Sequence, residues 1–466
     1  MAEPMQFEHR MSDSDALMWT IEKDPALRST IAAVAVFDSE PDRDRLIEKM
    51  ERGTRLVPRL RQRVVSNPLS VAPPRWEVDP YFDLSYHLRF WRAPGSGTLQ
   101  DVLRIAEPVA MQGFDRARPL WEMVVVDGLA EGRSAAILKL HHAITDGVGA
   151  VKIAAVLFDF EREPRGGPDP MPEAPEVHVM TQVERVRDAF EHERRRQLGI
   201  ARRVAPVVAG AVAAVVRDPV GRAARAAQVA TSVARMMAPA SEPLSPIMTG
   251  RSLSIHLDTL SVPLADAKAS AKRAGGRLND FFVAAVLGGF RRYHQQHGSA
   301  PELLRMSMPV SLRTDETADV AGNQFAPTRF LVPLQIEDPL ERMRVVNELV
   351  GQVRAEPALA LVDPLASVLK RVPTFLSTGL FGSMLRSVDV ITSNVPGIPI
   401  PIYLAGAQMV SQFAFGPRSG AATNLTLLSY LDQVHVGINT DPAAVPDSEV
   451  FQACLQDGFA ELLKLA

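Results

Sequence analysis

The stretch Ala135-Ala136-Ile137-Leu138-Lys139-Leu140-His141-His142-Ala143-Ile144-Thr145-Asp146-Gly147-Val148-Gly149-Ala150 decides how the rest of the chain is read. Ala135 to Leu140 has the apolar content of a buried strand. Trp121-Glu-Met-Val-Val-Val-Asp127 reads as its neighbour, joined to it by the turn Asp127-Gly-Leu-Ala-Glu-Gly-Arg133. From Asp146 onward a helix starts. The histidines therefore stand at the C-terminal end of a strand, where open α/β sheets commonly collect functional groups. Successive strand residues face opposite sides, so one histidine can enter a given cavity while the other packs against the fold.

A neutral imidazole with a pKa near ~6.5 is suited to removing a proton from a hydroxyl during attack. Asp146 could hold the turn in shape or orient the imidazole, and Gly147 and Gly149 allow close backbone approach. From these residues alone, metal ligation and a pair of satisfied structural histidines stay open as alternatives. No further His, Cys or Glu cluster lies nearby in the sequence to complete a metal shell, so no metal is expected.

Outward from this turn the chain falls into three parts. Residues 1–161 form an α/β block with a strand at Thr30-Ile-Ala-Ala-Val-Ala-Val-Phe37 and a helix from Asp42 to Arg55. Residues 162–250 differ in kind. Glu161 to Val177 holds five prolines and reads as a linker, and Thr181 to Met237 carries eleven arginines against five acids in helical pieces divided by Pro206 and Pro219. That basic segment is either a solvated connector or a contact for an anionic lipid surface, where each arginine contributes about 1 kcal/mol. Residues 251–466 form a second α/β block. It has helices at Leu264–Gly275 and Asn279–Phe290, the latter apolar nearly all round and so buried. Its strands are expected near Met306–Val310, Thr328–Leu334, Leu425–Tyr430 and Gln433–Ile438. No short internal repeat is visible.

With 466 residues, two domains are the natural expectation. A formal net charge of -3, from 51 basic and 54 acidic residues, gives no reason to expect a nucleic-acid partner. The single cysteine, Cys454, excludes an intrachain disulfide framework and fits a reducing cytosol. It sits among apolar residues at helical spacing between Val450 and Phe459, as a packed helix residue rather than a nucleophile. The N-terminus has no signal-peptide core. The least polar stretch, Val204 to Val216, is shorter than the roughly 20 residues a membrane span needs.

His-His-x-x-x-Asp-Gly at 141–147 resembles the signature of the chloramphenicol-acetyltransferase-like superfamily. Pro119-Leu-Trp-Glu122, Asn279-Asp280, Asn394-Val-Pro-Gly397, the opening Met11-Ser-Asp-Ser-Asp-Ala-Leu-Met-Trp19 and Val57-Pro-Arg-Leu-Arg-Gln-Arg63 are similar to motifs of bacterial wax ester synthase/diacylglycerol acyltransferases. The motifs run from about residue 11 to residue 440, essentially the whole chain.

The resemblance implies two chloramphenicol-acetyltransferase-like α/β lobes, a helical crossover linker and a channel between the lobes. It implies acyl-CoA as a substrate rather than a cofactor, and diacylglycerol or a long-chain alcohol as acceptor. His142 becomes the general base, with His141 supporting, and the alkoxide attacks the thioester directly. No Gly-x-Ser-x-Gly elbow suggests an acyl-enzyme. Asp146 becomes structural, paired with Arg313 in Met308-Pro-Val-Ser-Leu-Arg313. The same chemistry on a polyketide or glycolipid hydroxyl, and a non-catalytic lipid-surface protein, are the rival readings. A cytoplasmic protein is expected, peripheral at most on the inner membrane face or on lipid inclusions.

Asn279 and Asn394 are candidates for oxyanion stabilisation or substrate positioning. Asn279 competes with a role as helix cap, and Asn394-Val-Pro-Gly-Ile-Pro reads first as a turn. Trp121 is expected in the core. His256, His294, His297 and His435 match no motif and read as ordinary surface or packed residues.

Overall fold

A computed structural model describes residues 5, 7–66, 72–145, 147–164, 170–198, 231, 242–311, 325–356, 379 and 382–466. Asp146, Arg313, the stretch Val204–Val216 and most of the basic segment lie outside the described residues.

Two six-stranded sheets carry the fold. The first contains β1 (Thr30–Phe37), β4 (Leu88–Arg92), β5 (Trp121–Asp127), β6 (Ser134–His141), β11 (Tyr403–Leu404) and β12 (Ala407–Phe415), in the order β11-β12-β1-β6-β5-β4. The second contains β7 (His256–Pro263), β8 (Leu303–Ser311), β9 (Phe325–Pro333), β10 (Val390–Val395), β13 (Thr423–Tyr430) and β14 (Gln433–Thr440), in the order β7-β14-β13-β10-β8-β9. A small ribbon pairs β2 (Gln62–Val65) with β3 (Arg75–Val78). The helices are α1 (Asp13–Ile21), α2 (Arg43–Leu56), α3 (Leu84–His87), α4 (Leu99–Met111) and α5 (Gly147–Leu157) in the first part of the chain. They continue with α6 (Leu264–Arg273), α7 (Leu278–Gln296), α8 (Pro339–Arg354) and α9 (Ser448–Leu463).

A shared plan lies beneath sequences that show no repeat. The run β1-β6-β5-β4 is antiparallel, antiparallel, then parallel. The run β7-β14-β13-β10 repeats that order. Thr30 pairs with His141 in the first sheet, and His256 pairs with Thr440 in the second. In both, the following residue leaves the strand and leads to a helix, α5 or α9. Sheet membership does not follow chain order, because β11 and β12 come from the third part of the chain and complete the first sheet.

The lobes are joined chemically as well. Leu257 of β7 and Phe413 and Phe415 of β12 enter the apolar layer beneath α4. Beside them His256 bridges Glu107 of α4 at 2.9 Å and Asp258 at 3.1 Å. Hydrogen bonds to these two carboxylates outweigh burial and raise the imidazole to about 10. His256 is thus a charged clamp between lobes rather than an ordinary histidine. His294 and His435 are buried and packed, and His297 bonds Asp447 at 3.0 Å. Cys454 is buried on α9.

Residues 182–198 of the basic segment form a helix. It docks on the first lobe through Asp188, which takes both Arg10 and Arg75, through Arg185 facing Glu77 at 3.7 Å, and through Arg196 bonding Asp13 at 2.6 Å. Some of the arginines are therefore engaged by acids of the protein itself. Among the described residues no helix is long and apolar enough to cross a membrane.

Candidate active site

The strand β6 ends at His141, and the turn that follows directs the two imidazoles differently. His141 is buried, with edge-on contacts to Trp19 and Phe114. Its Nδ1 accepts from the Ala143 amide at 3.0 Å, so the proton lies on Nε2, which donates to Glu22 at 2.8 Å. Burial pushes the Glu22 carboxyl up, but hydrogen bonds from His141 and Ser29 outweigh it and hold the group below its ordinary range. Both ring nitrogens of His141 are committed. His142 is half-buried, its amide donates to Ser29 at 2.9 Å, and its side chain lines a cavity of about 1110 Å³.

The cavity lining is mostly apolar and comes from two sides. Leu140, Leu138 and Ala136 on the inner face of the first sheet, with Ile153 and Leu157 of α5, form a first-lobe arm. Leu17 and Ile21 of α1, with Leu385, Val388 and Ile391, form the rest of the apolar wall. The second lobe adds polar groups, among them Asn279, Thr328, Asn394 and Asn424. Several of these are already used: Thr328 donates to the Met308 carbonyl at 2.6 Å and Asn424 to that of Pro417 at 2.8 Å.

Asn279 and Asn394 differ from them. Asn279 is the second residue of α7, and among the described residues its side-chain amide makes only a long contact to Met308 Sδ at 3.7 Å. The capping role falls to Asp280, whose carboxylate accepts from the Arg277 amide at 2.7 Å. Asn394 is not in a turn, as its Asn-Val-Pro-Gly setting suggested. It lies within β10, paired with Leu427, and the bend begins after Val395. The reason is Gly397, where a Cβ would lie 1.3 Å from the Ser429 carbonyl oxygen; only glycine lets the bend fold onto β13. Among the described residues the Asn394 side chain makes no hydrogen bond. Trp121 is buried, its indole donates to the Leu60 carbonyl at 2.7 Å, and one edge still reaches the cavity wall. Gly147 opens α5.

Glu22 escaped the reading of the sequence. It lies 119 positions from His141 in a charged stretch, Glu22-Lys-Asp-Pro25, with no motif or spacing to mark it. The fold alone brings the two together.

Two α/β lobes share one strand order, and a His-His turn opens onto the cavity that both lobes line. The wax ester synthase/diacylglycerol acyltransferase catalytic domain matches residues 11–282, and the C-terminal domain of that family matches residues 321–463. A Mycobacterium tuberculosis protein provisionally named a diacylglycerol O-acyltransferase is 38% identical over 464 residues, covering 98% of this chain and 93% of that one. The wax ester synthase/diacylglycerol acyltransferase from Marinobacter aquaeolei VT8 superposes with a TM-score of 0.62 at 21% identity, covering 97% of this chain and 98% of that one. A starter condensation domain of rhizomide synthetase, solved as a mutant in complex with C8-CoA and Leu-SNAC, gives 0.58 at 13% identity, covering 98% and 94%. These two structures speak to the fold. The chain belongs to the wax ester synthase/diacylglycerol acyltransferase family and is an acyltransferase.

Proposed function

We propose that the protein transfers a long acyl group from acyl-CoA to the hydroxyl of diacylglycerol or a long-chain alcohol, giving triacylglycerol or wax ester. The observation that carries this reading is His142 on the wall of a mostly apolar cavity that both lobes line, with room for two greasy substrates. The imidazole of His142 takes the hydroxyl proton as the oxygen attacks the thioester carbonyl carbon. The tetrahedral intermediate then collapses, the carbon–sulfur bond breaks, and the imidazolium returns the proton to the departing thiolate. His141, locked to Glu22, holds the turn. Asn279 and Asn394 are the donors placed to meet the developing oxyanion or to position substrate. Asp146 and Arg313 are assigned a scaffolding ion pair. No step calls for a metal or cofactor.

The protein works at a lipid surface in this reading. On the helix at 182–198, Val183, Arg187, Phe190 and Arg194 stand exposed, spaced to share one face opposite the docked Asp188 and Ala189. Loss of vesicle binding in an Arg187→Glu/Arg194→Glu variant is the expected result, and unchanged binding to anionic vesicles would remove this part.

The deciding experiment is a panel of diacylglycerols, fatty alcohols and polar hydroxyl compounds offered with one acyl-CoA, with the products separated. Transfer to the apolar acceptors is expected. An acceptor range confined to polar hydroxyls would sink the storage-lipid reading.

A further inference from the structure

Alternate residues of two paired strands form the floor of the first-lobe arm: Leu140, Leu138 and Ala136 on β6, and Ile31, Ala33 and Ala35 on β1. The rows are Ile31 with Leu140, Ala33 with Leu138, and Ala35 with Ala136. The last row is farthest from His142. Ala136 is six residues from it along the strand, roughly 20 Å at about 3.3 Å per residue. An alkyl chain in one leaflet of a bilayer spans about half of a ~30 Å hydrocarbon core. The arm is therefore long enough for a full-length fatty chain.

Met50, Leu60, Leu157 and Leu404 also line the cavity and belong to one buried apolar cluster with Ala35 and Ala136. Two alanines facing each other across a sheet, beneath such a cluster, depart from the way cores fill. Interiors pack to crystal-like density, and a void left by small residues costs stability. Here the missing side-chain volume is part of the cavity. An apolar chain entering from His142 would occupy it.

We propose that Ala35 and Ala136 are specificity-determining residues that set the longest alkyl chain accepted in this arm. The inference rests on the acyl-transfer reading for its biological sense, although the arm's length limit can be measured without turnover. A side chain larger than alanine at either position shortens the arm, and trimming Leu157 lengthens it.

The test is equilibrium binding, by titration calorimetry, of saturated acyl-CoAs from eight to twenty carbons to wild type, Ala136→Leu, Ala35→Leu and Leu157→Ala. A parallel series uses free 1-alkanols of the same lengths. In the two alanine variants the affinity for eighteen carbons relative to ten is expected to fall at least about 10-fold, since a pocket resolves single methylenes by roughly 10–200-fold. Leu157→Ala is expected to move the limit to longer chains, an effect that a folding defect cannot mimic. A shift confined to the acyl-CoA series assigns the arm to the donor; one confined to alkanols assigns it to the acceptor. An unchanged eighteen-to-ten ratio in both alanine variants, or an equal loss at every length, overturns the proposal. A shifted limit in a protein that transfers no acyl group would keep the length gauge and remove the catalytic reading instead.

Discussion

The two lobes answer the same topological problem in opposite ways. In the first, α5 lies over a sheet face with alanines at Ala33, Ala35 and Ala136, and the space between is a cavity. In the second, the sheet is covered by a solid layer. Phe281, Phe282 and Phe290 of α7 are fully buried, and α7 and α9 meet through glycines. A Cβ on Gly458 would come within 2.5 Å of the Ala285 carbonyl oxygen, and one on Gly289 within 2.7 Å of Leu455. The difference extends to the turn. Register makes Asp441 the counterpart of His142, since each follows the residue paired with the neighbouring strand. Where His142 reaches the cavity, Asp441 is fully buried and bonds Ser252 Oγ at 2.6 Å, the Ser252 amide at 2.7 Å and Arg418 at 2.5 Å. One turn opens onto the cavity; its twin is tied shut as a structural knot.

That contrast can be broken most severely at His142. His142→Ala is expected to lower kcat by ~10²–10⁴-fold with the melting temperature nearly constant, read by transfer from labelled acyl-CoA. Full activity in that variant would leave the open turn without its chemistry. Asp441→Ala should do the reverse. Removing one partner of a buried ion pair costs about 3–5 kcal/mol, seen as a lower denaturation midpoint. A stable Asp441→Ala protein would show that the twin turn is not a knot.

Asn279→Ala sharpens the comparison by asking whether the solid lobe contributes to reaction. A kcat loss of about 10²-fold is expected if its amide meets the oxyanion. A loss confined to stability would make it a helix residue only.

The smallest effects concern the histidines at the lobe junction and in the second sheet, and they have opposite signs with pH. His256 is raised to about 10, so its contribution to stability is fully present below its ordinary ~6.5 and is lost as pH climbs through about 10. His435 is pushed down to about 4 by burial, so stability falls as pH drops from ~6.5 toward 4, where the unfolded chain takes the proton and the folded one does not. Melting temperature measured across pH should decline on both sides. His256→Gln should remove most of the alkaline decline while lowering neutral-pH stability by roughly 1–3 kcal/mol.

Much of this was legible in the residues because it depends on local order. The continuous β-rich runs Thr30–Phe37 and Trp121–Asp127 announce buried strands, and the full apolar circumference of Asn279–Phe290 announces a buried helix. The divergence of His141 and His142 follows from strand alternation. What escaped depends on contacts distant in sequence. Glu22 meets His141 only after folding, and His256 finds Glu107 only when the lobes join. Asn394 reads as a turn because Pro396 and Gly397 follow it, and only the approach of Ser429 reveals where the bend begins. The lobes' shared plan is likewise carried by strand order and register, which different side chains can satisfy.

The strand β12 adds a consequence for how the chain is made. Its partner β1 emerges from the ribosome near residue 37, whereas β12 is complete only at residue 415. Until then, the β1 edge that β12 will cover has no native neighbour, and an open edge is a template for mispairing. Contacts this far apart in sequence also form slowly. The first lobe therefore cannot mature as an independent unit during synthesis. A chain ending near residue 250 should be an aggregation-prone fragment rather than half an enzyme.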